Sequence, residues 1–316
     1  MKSLTITATL LSTITFIAQA EINVVASVKP VHSLVSAVME GIGVPDLIVK
    51  GAASPHTYAL KPSQAKHIEK ADLVFWMGHS LETFLEKPLE ALGTKAMVVE
   101  LMDSEGLKKL KMREGGGFDD HDHDEHDEHD EHSKESHDEH GHGEFDVHVW
   151  LDPENAKVMA NEIMEALKKV DPGNAKKYET NTKKIVEKLN QLVAEISAEL
   201  SSVKGKGFIV FHDAYQYFEE RFGLKAVGSI TVSPEVVPGV KRIKELKTKI
   251  KELNALCVFS EPQFKPKLVS TVVEGTKAKT GVLDPLGASI QNGPKLYFFL
   301  IRDMANSLNK CLSNKA

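Results

Sequence analysis

Four residues far apart in the chain sit in comparable settings that could do chemistry. His56 in GAASPHTY follows an apolar run, and His148 in DVHVWLDP shortly precedes a helix start at Pro153. His212 in FIVFHDAY ends a β-branched run, and Asp284 in GVLDPLG ends another. Imidazole nitrogens are borderline donors suited to Zn2+, and three of them with one carboxylate complete a four-coordinate shell. Each residue alone also has a plain structural explanation: a hydrogen-bonded loop histidine, or an aspartate that opens a turn before Pro285. Successive members are 64 to 92 residues apart, so spacing by itself does not make them one site.

A second constellation is local. Residues 121–143 read HDHDEHDEHDEHSKESHDEHGHG and hold eight of the fourteen histidines: His121, His123, His126, His129, His132, His137, His140 and His142. Between 119 and 144 there are thirteen Asp and Glu against one Lys, a net −12, so the rest of the chain sums to +6. The repeat offers many equivalent low-order sites without fixed geometry, which predicts weak binding of several metal ions. Its charge would concentrate cations near the mouth of any cleft beside it. The composition cannot bury enough apolar area to offset ordering entropy, so a disordered insertion is expected over 115–144. No Lys/Arg stripe with interleaved aromatics is present, which argues against nucleic acid as a partner.

The elements that must position these residues alternate. INVVAS, DLIVK, ADLVFWMG and MVVEL read as strands separated by helical stretches. The alternation resumes with GFIVFH, KAVGSI, ALCVFSE and TGVLDPLG. Strand–helix units of this kind predict an α/β fold with mostly parallel sheets. Between the two sets runs a stretch from about 172 to 203, with Ile185, Leu189, Leu192, Val193, Ile196 and Leu200 at helical spacing. The expected organisation is a leader at 1–20, an N-terminal lobe at 21–170, a connecting helix at 171–203 and a C-terminal lobe at 204–316. Ligands of open parallel sheets bind at the C-terminal ends of strands, here in the cleft between lobes.

Lys2, a short apolar run and Ala18-Gln19-Ala20 fit a cleavable signal peptide cut near Ala20, with a buried first strand as the alternative. An exported protein is therefore expected. In an oxidising compartment Cys257 and Cys311 read first as one disulfide, with two separate buried thiols as the alternative. His32 is expected to be exposed or capping, His67 solvated in its helix, and His79 at a strand end outside the ligand set.

The segments VKPVHSLV, SPHTYALKPSQ, ADLVFWMG, DVHVWLDPENA, FIVFHDAYQYF, SEPQF and LDPLG, in this order, resemble one family from about residue 22 to the C-terminus. It is the metal-binding periplasmic components of ABC transporters, the cluster A-I solute-binding proteins, and the similarity is greatest to its ZnuA-like zinc-uptake branch. The resemblance implies two (β/α)4-like lobes joined by a long rigid helix, with metal held at the lobe interface. It implies His56, His148 and His212 as ligands, and Asp284 or a water as the fourth. Some zinc members carry a Glu just before the first ligand histidine, where this chain has Pro55. The two cysteines fall where zinc-type relatives have a disulfide.

The function so implied is periplasmic capture of Zn2+, a transported ligand and not a catalytic cofactor, by a monomer that delivers it to its cognate ABC permease in the inner membrane. No enzymatic activity is expected. The alternatives are a manganese-binding member of the same family, a zinc hydrolase, and a metal buffer built on the His-rich run.

Overall fold

The computed structural model describes residues 22–113, 118, 144–231, 234, 238–252, 255–265 and 267–313. The leader 1–20 and the His-rich run, with all eight of its histidines, lie outside the described residues. The first lobe contains β1 (Val24–Ala26), α1 (Lys29–Val38), β2 (Asp46–Leu47), α2 (Pro62–Lys70), β3 (Leu73–Trp76), α3 (Glu86–Leu92) and β4 (Met97–Glu100). Then come α4 (Pro153–Val170) and the long α5 (Ala175–Leu200). The second lobe contains β5 (Phe208–His212), α6 (Gln216–Phe222), β6 (Ala226–Thr231), α7 (Val240–Glu252), β7 (Cys257–Ser260), α8 (Lys267–Val273), β8 (Lys279–Val282) and α9 (Leu296–Leu312).

Two four-stranded parallel sheets result, ordered β2-β1-β3-β4 and β6-β5-β7-β8. The central strands β1, β3 and β5 are buried along their whole length. That is why they read as unbroken apolar runs and not as alternating ones. Each order places its first strand in the middle, with the next strand on one side and the third on the other. The chain therefore reverses direction across the sheet at the C-terminal ends of β1 and β5, the switch points where open sheets form ligand crevices. His212 is the last residue of β5 and stands at the second switch point.

Helix α5 has 26 residues and spans about 39 Å at 1.5 Å per residue. Its buried stripe includes Tyr178, Ile185, Leu189, Leu192, Ile196 and Leu200. Near its start, Asn181 Nδ2 donates to Val38 O and Glu40 O (both 2.9 Å) and so closes the C-terminal end of α1. Near its end Glu195 pairs with Arg302 of α9. One apolar core runs through both lobes, from Val24 to Leu312, and a smaller cluster under α7 and α8 covers the outer face of the second sheet.

Helix α1 is buried at every position because it lies between the first sheet, α4, α5 and α9. This overturns the exposed reading of His32, which is 4% exposed and bonded through Nε2 to Pro45 O at 3.0 Å. His67 is largely exposed, as expected, and in addition pairs with Asp46. Cys257 of β7 and Cys311 of α9 are joined in a disulfide, Cα–Cα 6.2 Å, which ties the last helix to the second sheet.

Candidate metal centre

Three short local structures bring three histidines together. His56 sits in a single 3-10 turn, Pro55–Thr57, in the connection after β2, and Pro55 presets its first residue. His148 precedes another 3-10 turn, Val149–Leu151, which leads into α4. The N-cap of α4 is Asp152, whose carboxylate accepts from Glu154 N at 2.9 Å and pairs with Arg221. His212 is held at the end of β5.

Their ligand nitrogens converge within 4.8 Å of one another, the one such group among the described residues. His56 Nε2 lies 3.3 Å from His148 Nε2, which lies 3.4 Å from His212 Nε2. The rings stand at 47° to 83° to one another, so the three imidazoles approach one another in different planes.

Carboxylates hold two of the three rings from behind. Asp146 Oδ1 accepts from His148 Nδ1 at 2.7 Å and from His148 N at 3.0 Å. Glu261 Oε1 accepts from His212 Nδ1 at 2.8 Å. A carboxylate on Nδ1 fixes the proton there and leaves the Nε2 lone pair facing inward. Both acids are 3% exposed, so neither interaction is screened by solvent.

Burial, reinforced by the neighbouring His148 and His212, pushes the His56 imidazole down to about 2. His212 is also penalised by burial, but the Glu261 carboxylate, with Asp146 and Asp213 beyond it, lifts it above its ordinary value. The cavity, about 10 Å3, is walled by Pro55, Trp150, Phe264, Pro285 and Leu286. Trp150 Nε1 donates to Pro285 O at 2.9 Å and Tyr297 Oη to Trp150 O at 2.7 Å, bonds that cross between the lobes.

Asp284, expected as the fourth ligand with a water as the alternative, is not among the residues brought together here. Its Oδ1 accepts from Leu286 N (3.2 Å), Gly287 N (2.9 Å) and Gln263 Nε2 (3.0 Å), and its Oδ2 accepts from Ala288 N. The turn after β8 presents three N–H groups in a row, and the carboxylate caps them. It borders a separate cavity with Pro262, Ser289 and Asp303. His79 also lies elsewhere, near Glu86 and Glu100. Asp146 and Glu261 are the residues that sequence reasoning missed. Asp146 was visible in DVHVW two residues before its histidine, whereas Glu261 in SEPQF needed the β5–β7 pairing to become its neighbour.

The family model described as zinc-uptake complex component A, periplasmic (ZnuA), matches residues 24–311. A high-affinity zinc uptake system protein ZnuA of Brucella suis biovar 1 (strain 1330) is 59% identical over 305 residues, 92% of this chain and 91% of its own. Its namesake in Yersinia pestis is 36% identical over 298 residues, again 92% and 91% of the two chains. A crystal structure of ZnuA superposes with a TM-score of 0.77 at 23% identity, covering 93% of this chain and all of its own. That likeness shows the same fold.

Proposed function

The chain belongs to the periplasmic zinc-uptake component A family, and from that premise we propose that His56, His148 and His212 hold Zn2+ between the lobes as cargo. The protein is the zinc-binding component of a high-affinity uptake system, and its cognate membrane permease receives the ion.

The observation that carries the ligand assignment is the nitrogen spacing. Zn–N bonds of about 2.0–2.1 Å at tetrahedral angles separate neighbouring nitrogens by about 3.3 Å. The two Nε2–Nε2 separations, 3.3 and 3.4 Å, match that figure. Asp146 and Glu261 supply two negative charges one imidazole away, so a doubly charged ion is neutralised without a thiolate. With Asp284 spent on its turn, a water takes the fourth position. Three imidazoles with no oxygen ligand among the described residues favour zinc over manganese. Asp146 and Glu261 are both engaged on imidazoles, which suits capture and not general-base chemistry.

Export to the periplasm through the 1–20 leader, action as a monomer, the division at 171–203 and weak collection of zinc by the histidines between 121 and 142 complete the reading. Zinc titration of His56→Ala, His148→Ala and His212→Ala, each lacking residues 119–144, tests it. Each is expected to lose high-affinity binding, and full affinity in any one removes that residue from the site. Retained affinity in the parent deletion separates this reading from a buffer built on the His-rich run. Competition of Zn2+ against Mn2+ separates the two metals.

A further inference from the structure

Four buried or nearly buried carboxylates lie on or beside the segments that carry His148 and His212, and of these only Asp146 and Glu261 act on an imidazole. The other two are Asp213, next in the chain to His212, and Glu219 of α6. Both are taken by one guanidinium. Arg113 Nε donates to Asp213 Oδ1 and Oδ2 (3.1 and 2.9 Å), and Nη2 also reaches Oδ1. Nη1 donates to Glu219 Oε2 at 3.0 Å and Nη2 to Oε1 at 2.9 Å. The Phe118 ring lies 3.7 Å from the guanidinium carbon.

Arg113 belongs to the chain of the first lobe, and its partners to the second. The segment that carries it pairs with the return segment just before His148. Lys111 and Phe145 form an antiparallel bridge, with Met112 N donating to Glu144 O (3.0 Å) and Asp146 N to Leu110 O (2.8 Å). Tyr217 of α6 joins the same stem: Leu110 N donates to its hydroxyl at 2.9 Å, and the hydroxyl donates to Asp146 O at 2.8 Å. One short stem thus grips the metal centre twice. Through Asp146 it orients the His148 ring, and through Arg113 it holds the residue that follows His212.

We propose that Arg113 is a positioning residue of the metal centre: its clasp on Asp213 and Glu219 sets the His148–His212 spacing and keeps the Asp213 carboxylate out of the metal shell. Only the planar fork of an arginine can bond two carboxylates bidentately at once. A lysine places one point charge there and can satisfy one partner properly. Left without the clasp, Asp213 is an oxygen donor one residue from a zinc ligand.

The inference rests on the three histidines being the zinc ligands, and it is tested on the full chain. Arg113→Lys keeps a positive charge. Because two uncompensated buried acids can unfold a protein, the triple variant Arg113→Met, Asp213→Asn, Glu219→Gln is made beside it, neutral throughout. The readouts are the slow phase of zinc transfer to a chelator and the ligand-field absorption of the Co2+-loaded protein. Both variants are expected to release zinc about tenfold faster or more, with an altered cobalt spectrum, as for loss of a group that orients metal ligands. An unchanged rate or an unchanged spectrum in either folded variant overturns the role of Arg113. A His212→Ala control that still releases zinc at the parent rate overturns the site reading instead.

Discussion

Replacing Asp146 by Asn isolates what a buried carboxylate behind an imidazole contributes. The change preserves shape, and Oδ1 can still accept from His148 Nδ1 (2.7 Å) and N (3.0 Å), while the other terminus becomes an NH2 group that Gln216, whose Nε2 donates there at 3.2 Å in the parent, can meet only by turning its amide so that Oε1 accepts. The negative charge is what disappears. The imidazole becomes a weaker donor, and the carboxylates facing the ion fall from two to one. Partners of this kind are worth about 10- to 100-fold in metal affinity, or about 1.4–2.7 kcal/mol. Asp146 is 3% exposed and unscreened, so the upper half of that range is expected. The assay is competition for zinc against a chelator of known affinity at constant pH, with the apo thermal midpoint as a control for folding. Glu261→Gln should lose a similar factor, since it backs a different ring with the same geometry. A zinc affinity within about twofold of the parent for a folded Asp146→Asn protein would refute the claim that this carboxylate fixes ring and tautomer.

The pH dependence has a definite sign. His56, pushed down to about 2, stays neutral at pH 5–8 and releases no proton when zinc binds, whereas His212, shifted up, must give one up. Zinc affinity should therefore fall on acidification by at most about two decades per pH unit, and proton release measured by calorimetry in several buffers should stay below three. The same depressed His56 stabilises the apo fold above 6.5, and this contribution is lost as pH falls from 6.5 toward about 2. The loss is at most about 1.4 kcal/mol per pH unit and should vanish from denaturation curves of His56→Leu. Reducing the Cys257–Cys311 bridge, with its sequence separation of 54, should cost roughly 4 kcal/mol in urea unfolding and leave zinc binding by the folded protein intact. Lys29→Met strips the donor from Ala288 O (3.0 Å) and Ile290 O (2.8 Å), and about 1–3 kcal/mol of lost stability is expected by the same measurement.

The positions legible in the sequence were those where one local rule decides. Parallel strands buried on both faces become unbroken apolar runs, so β1, β3 and β5 stood out. Pro153 marked the start of its helix, and the stripe from Ile185 to Leu200 marked α5. The three histidines were legible as strand-end or loop residues, and the family motifs turned them into a set. Environments made by distant segments were not legible. His32 looks like a surface residue of an amphipathic helix, but α1 is enclosed on all sides once the second lobe is in place. Asp284 ends a strand beside the cleft as a ligand would, and the turn that consumes its oxygens depends on the backbone conformation of residues 286–288. Arg113 is one cation among many until its carboxylate partners, about a hundred residues away, are brought to it.

The cross-lobe bonds also decide how selectivity arises. The lobes share one apolar core and are tied on one flank by Lys29 to Ala288 and Ile290 and by Ser33 to Gly293. On another they are tied by Arg113 to Asp213 and Glu219, Lys108 to Glu220 and Arg221 to Asp152. Trp150 and Tyr297 join them beside the histidines. A hinge that opened the cleft by many ångströms would break several of these at once and expose buried acids without partners. With the three histidines as the proposed ligands, metal choice then comes from a cage whose nitrogen spacing exists before the ion arrives, so the ordering entropy is met during folding and not during binding.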